Sequence, residues 1–463
     1  MIDEPELSRD QAYLVHSLHN RAAQHQAHIW TRGRGAVLYD QHGREFLDGL
    51  AGLWNVIVGH GRTELAEAAS RQMGELAYAS SYAGSSNRPS IELGERLAQM
   101  CYPSINRFFF TSGGAEANES AFKTARFYWK AAGQPGKTKI IGRQWGYHGT
   151  TLAAMSATGI ASYWPMFEPR VPGFLHIDSP YPYRFQPPAD SPPGEGMIPG
   201  HPDRRTPGEL AADLLEGAIL REGADTIAAF LGEPVQGAGG VIVPPDDYWP
   251  RIRRICDRYD VLLIADEVIT GFGRTASPHG WFALSQWNVE PDLLTFAKGV
   301  TSGYFPFGGL GISDKIASVL DAAVGPQAWM HAFTYSGHPA GCAVALANLD
   351  LLERDGLRQR AAELGQRLLA KLRDLEAHPH VGEVRGLGLM AAVEFVADKA
   401  TKAEFPADLA VGPRVHAAAQ QRGLFTRLRG DVFNLAPCYV TENSRIDRMV
   451  GILMESVEAV LGK

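Results

Sequence analysis

The stretch Pro291-Asp-Leu-Leu-Thr-Phe-Ala-Lys298-Gly-Val-Thr-Ser-Gly-Tyr-Phe-Pro306 decides the fold. Lys298 follows a mostly apolar run with strand character and precedes a glycine, so its amine is carried from a packed core onto a tight turn. Buried lysines are rare. Apolar surroundings disfavour the ammonium ion, and a lysine that sheds its proton near neutral pH is the nucleophile that carbonyl condensation requires. Taken by itself the stretch also fits a strand-end lysine whose head reaches solvent.

Outward from it, residues 257–275 read DRYDVLLIADEVITGFGRT. The apolar run Val261 to Ala265 ends in Asp266 and Glu267 ahead of a glycine-containing turn. This pattern predicts a buried parallel strand with a carboxylate at its C-terminal end, the sheet edge at which open α/β folds bind ligands. A buried carboxylate needs a cationic partner. The protonated ring nitrogen of pyridoxal phosphate is such a partner, and the pairing keeps the ring electron-poor, able to take up the electrons of a broken Cα–H bond. A cap or turn role is the other reading of Asp266 in isolation.

Together, LLIADEVITGFGRT and LLTFAKGVTSGYFPFGG resemble the class III, fold-type I, pyridoxal-phosphate aminotransferases, especially the ω-amino acid:pyruvate group, and the resemblance runs from about Ile29 to the C-terminus. It implies an α/β fold with a mostly parallel central sheet in a large cofactor domain, 59–330. A smaller α+β domain is implied from both chain ends, 1–58 and 331–463. It implies a homodimer or dimer of dimers with shared active sites, small-molecule amine and keto acid as partners, and usual S-selectivity. In this reading Lys298 and Asp266 are the catalytic pair: Lys298 carries pyridoxal 5'-phosphate and, once displaced by the amine, moves the substrate proton, leaving pyridoxamine 5'-phosphate for the keto acid to reconvert.

Composition is that of an ordinary globular protein, 45% hydrophobic and 21% charged. At 463 residues the chain can form two lobes, since single cores stop growing near about 250–300 residues. A net charge of −7 gives no basic footprint for nucleic acid or an anionic membrane. Arg251, Arg253, Arg254 and Arg258 cluster in an expected helix and read as its solvated face. Cys101, Cys256, Cys342 and Cys438 are scattered without a CxxC pair, which suits a reducing cytoplasm and argues against disulfides or a zinc site. The acidic N-terminus lacks an apolar signal core, and the uncharged stretch 322–349 is broken by proline and glycine, so it reads as a loop plus a buried helix rather than a membrane span. His16, His19, His25 and His28 have no cysteine or carboxylate to complete a metal site, and none is expected.

In chain order, residues 29–48 alternate with breaks at Gly33, Gly35 and Gly43, predicting short antiparallel strands. Trp54 follows in AGLWNVIVGHG, where the resemblance makes it a wall of the substrate pocket, with Tyr82 of SSYAGSSNRP supplying a second wall from the partner subunit. Both also fit core packing. FFFTSGGAEANESAFKTARFYWK, 108–130, reads as strand, glycine turn and amphipathic helix, whose first amides form an anion site at Gly113, Gly114 and Ala115. Relatives often carry a hydroxyl residue at Ala115, so here the phosphate rests on backbone amides. In Trp145-Gly-Tyr147-His148-Gly149 the resemblance makes Tyr147 the ring stacked on the cofactor, with His148, Glu233 and Val268 as further cofactor contacts; in isolation Tyr147 and His148 also fit a core aromatic beside a satisfied histidine. Between Asp178 and Pro207 nine prolines in thirty residues exclude a regular helix or central strand and predict a long surface excursion.

The strand TIAAFLGEP ends at Glu233-Pro-Val-Gln-Gly-Ala238. Relatives that use glutamate and 2-oxoglutarate commonly carry glutamate where Ala238 stands and glutamine where Ile269 stands; this chain has neither, which favours pyruvate. The resemblance places Phe333 at the substrate and Thr334 at the neighbouring subunit's phosphate; in isolation Thr334 fits a helix cap. VRGLGLMAAVEF reads as one strand after a glycine bend. Arg427 and Arg429, two apart, leave an extended segment on the same side. Register against the family makes Arg427 the binder of the substrate carboxylate and Arg429 the surface residue, though the two can be exchanged at this level. A glutamate-dependent 4-aminobutyrate-type enzyme, an aminomutase or decarboxylase on the same scaffold, and a non-enzymatic cofactor-binding regulator are the alternatives.

Overall fold

The computed structural model describes residues 4–24, 27–187 and 205–462. His25 and most of the proline-dense excursion, 188–204, lie outside the described residues. The apolar runs of the sequence assemble into a seven-stranded sheet in the order Ile105–Thr111, Gly308–Ser313, Leu293–Phe296, Leu262–Asp266, Ile227–Gly232, Lys139–Arg143, Phe174–Ile177. Gly308–Ser313 is antiparallel to both neighbours, and the remaining pairs are parallel. Three central strands, Ile227–Gly232, Leu262–Asp266 and Leu293–Phe296, are buried at every position, as strands covered on both faces must be. The fold is the mostly parallel α/β architecture expected. Its shared direction brings Gly113, Arg143, Glu233, Asp266 and Lys298 to one carboxyl edge.

Helices cover this sheet for local reasons. Gly114–Ala131 turns Ala117, Ala121, Phe122 and Ala125 inward. Pro207–Glu222 starts at a capping box between Thr206 and Glu209 with proline in its first turn. The uncharged stretch ends in the helix Pro339–Arg354, largely buried against Thr63–Glu75 and Arg88–Met100. Among the described residues no helix is long and apolar enough to cross a membrane.

Trp30–Arg34, Val37–Asp40 and Glu45–Asp48 form the expected antiparallel strands, and Leu424–Phe425 joins them in parallel, so the two ends of the chain share one sheet. VRGLGLMAAVEF supplies the expected strand, Ala391–Phe395, after its glycine bend, and the residues before the bend add a strand that was not expected: the hairpin Val381–Gly386 and Ala391–Phe395 continues through Val432–Leu435 to Arg427–Arg429. The turn needs Gly388, at φ +57°, because a Cβ there would stand 2.3 Å from the Thr275 carbonyl carbon.

The arginine cluster is also corrected. Arg251 is buried, donating to Asp213 from Nε (2.5 Å) and Nη2 (2.9 Å), and Arg253 pairs with Asp292 at 2.9 Å. Only Arg254 and Arg258 of the four face solvent. The guanidiniums meet carboxylates from elements distant in sequence, which a local reading of charge cannot anticipate.

Candidate active site

At the carboxyl edge a cavity of about 390 Å³ is lined by Gly113, Gly114, Ala115, Tyr147, His148, Glu233, Asp266, Val268 and Lys298 among the expected residues. Asn55, Ser112, Asn118, Ile269, Thr301 and Phe305 complete much of its wall.

Lys298 follows the strand Leu293–Phe296 by two residues and holds φ +45°, a left-handed setting that is strained for a side chain with a Cβ. Asn348, from the helix Pro339–Arg354, keeps the turn in place. Its Nδ2 donates to the carbonyls of Gly299 (2.9 Å) and Val300 (3.0 Å), and its Oδ1 accepts from Ser302 Oγ at 2.6 Å. Burial lowers the Lys298 amine to about 8, with the Arg274 and Arg427 guanidiniums acting in the same direction and the Asp266 and Glu233 carboxylates opposing them. The amine is thus available as a nucleophile near neutral pH.

Asp266 closes its strand with a carboxylate that is 2% exposed. Oδ2 accepts from Asn118 Nδ2 (2.8 Å) and His148 Nδ1 (2.7 Å), and Oδ1 accepts from the Val268 amide (3.1 Å). Oδ1 therefore retains room for one more donor. Glu233, also buried, accepts from the amides of Tyr147 and Gly237, both at 2.9 Å, and burial raises its carboxyl above the usual range. It fixes the Tyr147 loop to the turn that carries Ala238. The Tyr147 ring stands 5.8 Å from that of Tyr163, and burial raises its phenol.

The anion cradle follows from the glycine turn. The Ser112 amide is taken by Glu116 Oε2 at 2.8 Å, whereas the first-turn amides of Gly114 and Ala115 have no intrahelical acceptor by position. Gly114 lies against Val268, where a Cβ would meet Cγ1 at 2.9 Å, and the alanine at 115 is packed so closely that a Cβ on Gly149 would come within 2.6 Å of its own.

Other expected residues lie elsewhere in the single chain. Trp54 is buried in the hydrophobic core at φ +66°, and its turn offers Asn55 to the cavity instead. Tyr82 and Thr334 are exposed on segments stitched together by Tyr78 Oη donating to the Thr334 carbonyl at 2.8 Å. Phe333 packs against His331 and Phe109, at ring distances of 4.9 and 6.2 Å. Ala238 is half-buried outside the lining. Arg427 is exposed at the rim and close enough to act on the charge of Lys298, Tyr147 and Tyr163. Arg429, expected at the surface, is instead laid on the face of Trp145 at 4.2 Å. Two positions apart on one strand, the two heads thus lie in different surroundings, one exposed and the other against an aromatic ring.

Asn118, Asn348 and Arg274 were not singled out in the sequence. Arg274 is buried and donates from Nη1 to the carbonyls of Leu389 (3.2 Å), Ala436 (3.2 Å) and Pro437 (2.6 Å), tying the turn after Asp266 to the C-terminal segments. For Asn118 and Asn348 a signal existed: each is an amide side chain among the small apolar residues of a helix's inner face.

An amine, an orphaned acceptor position on Asp266 and an amide cradle around one cavity at the carboxyl edge of this sheet define an enzyme of the fold-type I class. The chain belongs to the class III aminotransferase family, whose model, aminotransferase class-III, matches residues 18–457. It is 40% identical to the diaminobutyrate–2-oxoglutarate transaminase of Halomonas elongata over 98% of this chain and 96% of that protein. It is equally 40% identical to the putrescine–pyruvate aminotransferase of Pseudomonas aeruginosa, over 98% and 95%. A solved structure of a thermostable (S)-enantioselective ω-transaminase from Thermomicrobium roseum superposes with a TM-score of 0.91 at 46% identity, covering 99% of each chain. The family depends on pyridoxal phosphate, which passes through pyridoxamine phosphate, and the residues above fit that group.

Proposed function

We propose that this chain moves an amino group from a primary amine or ω-amino acid to pyruvate, releasing an aldehyde or ketone and L-alanine. The observation that carries the choice of acceptor is Ile269. Its apolar side chain lines the cavity and fills the space over Gly237, where a Cβ would stand 2.7 Å from Cδ1. Beside it Ala238 offers no carboxylate to neutralise Arg427, which has no ion pair among the described residues. The putrescine–pyruvate relative supports the same reading. A 2-oxoglutarate acceptor is the second reading, favoured by the diaminobutyrate relative.

When bound, pyridoxal phosphate supplies an electron sink for ionising a C–H bond next to nitrogen. Asp266 would face its ring nitrogen through the free position on Oδ1, with Asn118 and His148 fixing the carboxylate's direction. The amides of Gly114 and Ala115 would hold the phosphate, and Tyr147, braced by Glu233, would cover one face of the ring. Lys298, partly neutral near physiological pH, would carry the proton from the substrate carbon to C4′ of the bound group, so that the amino group stays with the cofactor when the aldehyde or ketone leaves. Arg427 receives the keto-acid carboxylate through its planar fork. Tyr82, Phe333 and Thr334 are assigned to a site shared across a dimer, a reading supported by the exposure of Tyr82 and Thr334 on adjoining segments. The division at residues 58 and 330 is retained as a proposal, supported by the sheet common to both chain ends.

The test is acceptor choice. Enzyme converted to its amine form by an excess of donor, then freed of donor, is mixed with pyruvate or 2-oxoglutarate, and the return of the aldehyde form is followed by absorbance. Pyruvate is expected to be faster by about tenfold or more, which corresponds to ~1.4 kcal/mol in the barrier; equal rates, or a preference for 2-oxoglutarate, would overturn the assignment.

A further inference from the structure

Arg427 and Arg429 occupy a three-residue strand held in register with Val432–Leu435, Arg427 opposite Asn434 and Arg429 opposite Val432. Their surroundings differ. Arg427 stands exposed, whereas Arg429 lays its guanidinium 4.2 Å from the centre of the Trp145 ring. Arg429 has no ion pair among the described residues, and its buried Nε has no hydrogen-bond partner. The carboxylates whose charge reaches it are paired with other arginines, Glu394 with Arg385 Nη1 at 2.7 Å and Arg184 Nη2 at 2.6 Å, and Glu404 with Arg184 Nη1 at 3.7 Å. The indole face is therefore the contact that holds the Arg429 head.

Trp145 is itself fixed. It has φ +64°, its amide donates to the Gly159 carbonyl at 3.0 Å, and its own carbonyl lies so close to Gly239 that a Cβ there would approach it to 2.4 Å. Two residues on, the Tyr147 amide is held by Glu233 at 2.9 Å. The loop from Arg143 to Gly149 is a firm bed beside the cavity, and Arg429 is where the arginine strand rests on it.

We propose that Arg429 is a positioning residue for carboxylated substrates: stacked on Trp145, it sets the place of Arg427 at the cavity rim and through it the affinity for the keto acid. The inference rests on Arg427 binding that carboxylate, as proposed above. The chemistry suits the task. A planar guanidinium on an aromatic face is anchored without a carboxylate, so nothing acidic is brought to the rim to compete for Arg427.

The holoenzyme and its Arg429→Leu, Trp145→Ala, Trp145→Phe and Arg427→Ala variants test this. Four quantities are measured: KM and kcat with pyruvate, the rate of the donor half-reaction with 1-phenylethylamine, which has no carboxylate, and the affinity for oxamate, an unreactive carboxylate shaped like pyruvate, by calorimetry. Arg429→Leu and Trp145→Ala are expected to raise the pyruvate KM and weaken oxamate by about five- to thirtyfold, the range of a partly buried cation–π contact. The amine half-reaction should lose far less, Trp145→Phe should restore most of the affinity, and adding Arg429→Leu to Arg427→Ala should cause no further loss. If Arg427→Ala loses pyruvate and Arg429→Leu does not, the positioning role is wrong and the carboxylate assignment stands. If neither variant affects pyruvate or oxamate, both are wrong. Equal losses for amine and keto acid in Arg429→Leu would mean that the contact only holds the fold, which also overturns the proposal.

Discussion

His148 Nδ1 lies 2.7 Å from Asp266 Oδ2, with both side chains withdrawn from solvent at the floor of the cavity. Asn118 donates to the same oxygen at 2.8 Å and accepts from Thr295 Oγ1 at 3.0 Å. The carboxylate is thus aimed by the helix Gly114–Ala131, the loop that carries His148 and, through Asn118, the strand Leu293–Phe296, and its direction is fixed before any ligand arrives.

Replacing Asp266 by asparagine keeps the shape and removes the charge. One of its atoms becomes an NH₂ facing the Asn118 and His148 donors or the position reserved for the ring nitrogen. The expected loss in kcat is about 10²–10³-fold, as for removal of a preorganised charge at a reacting centre, together with weaker cofactor retention on gel filtration. His148→Ala should lose less, because Asn118 still orients the carboxylate.

The amine of Lys298 titrates at about 8 because it is buried. Capture of added pyridoxal phosphate by cofactor-free enzyme should therefore accelerate with pH up to about 8 and then level off, well below the ordinary lysine range near ~10.4. Stability is linked to the same group. Between about 8 and ~10.4 the unfolded chain keeps a proton that the folded amine has released, so the cofactor-free protein gains stability with rising pH in that window. Below it both states are protonated and the burial penalty is constant. Urea midpoints of wild type and Lys298→Met across pH 7 to 10 should converge in favour of the wild type only above about 8.

Gly114 and Val268 are in contact across the anion cradle, where a Cβ on Gly114 would meet Val268 Cγ1 at 2.9 Å. Gly114→Ala should weaken cofactor affinity by roughly tenfold, a cost within the ~1–3 kcal/mol of overpacking. Adding Val268→Ala should restore most of it. Fluorescence titration of cofactor-free protein reads both, and failure of the second substitution to compensate would show that the glycine serves another purpose.

Away from the cavity, Asp213 is buried among Arg251 and Arg205, accepting from Arg205 Nη1 at 2.6 Å. Asp213→Ala removes the buried carboxylate that Arg251 and Arg205 share and should destabilise by about 3 kcal/mol, the cost of breaking a buried pair, with Glu209 still 3.9 Å from Arg251 Nη1. Arg254→Ala, on the exposed side of the same helix, should stay within about 0.5 kcal/mol. Denaturant unfolding distinguishes the two.

What the sequence conveyed was set by local pattern. The continuous apolar runs before Asp266 and Lys298, and the glycine turn before Ala115, each mark a strand end by themselves, so the carboxyl edge was legible from pattern, while Tyr147, His148, Glu233 and Val268 were expected only through the family resemblance. Groups whose meaning depends on a distant partner were not legible. Asn348 acts on the Lys298 turn from a helix some fifty residues away, and Arg251 finds Asp213 across two helices. Arg429 differed because a two-residue spacing fixes the face of a strand but not what lies above each position.

The central claim is that Lys298 is the residue to which the cofactor is joined. Borohydride reduction of the holoenzyme, followed by proteolysis and peptide mass mapping, measures this directly. The pyridoxyl phosphate mass is expected on the peptide containing Lys298 and on no other; its appearance on a different lysine peptide, or its absence from a coloured preparation, would contradict the account.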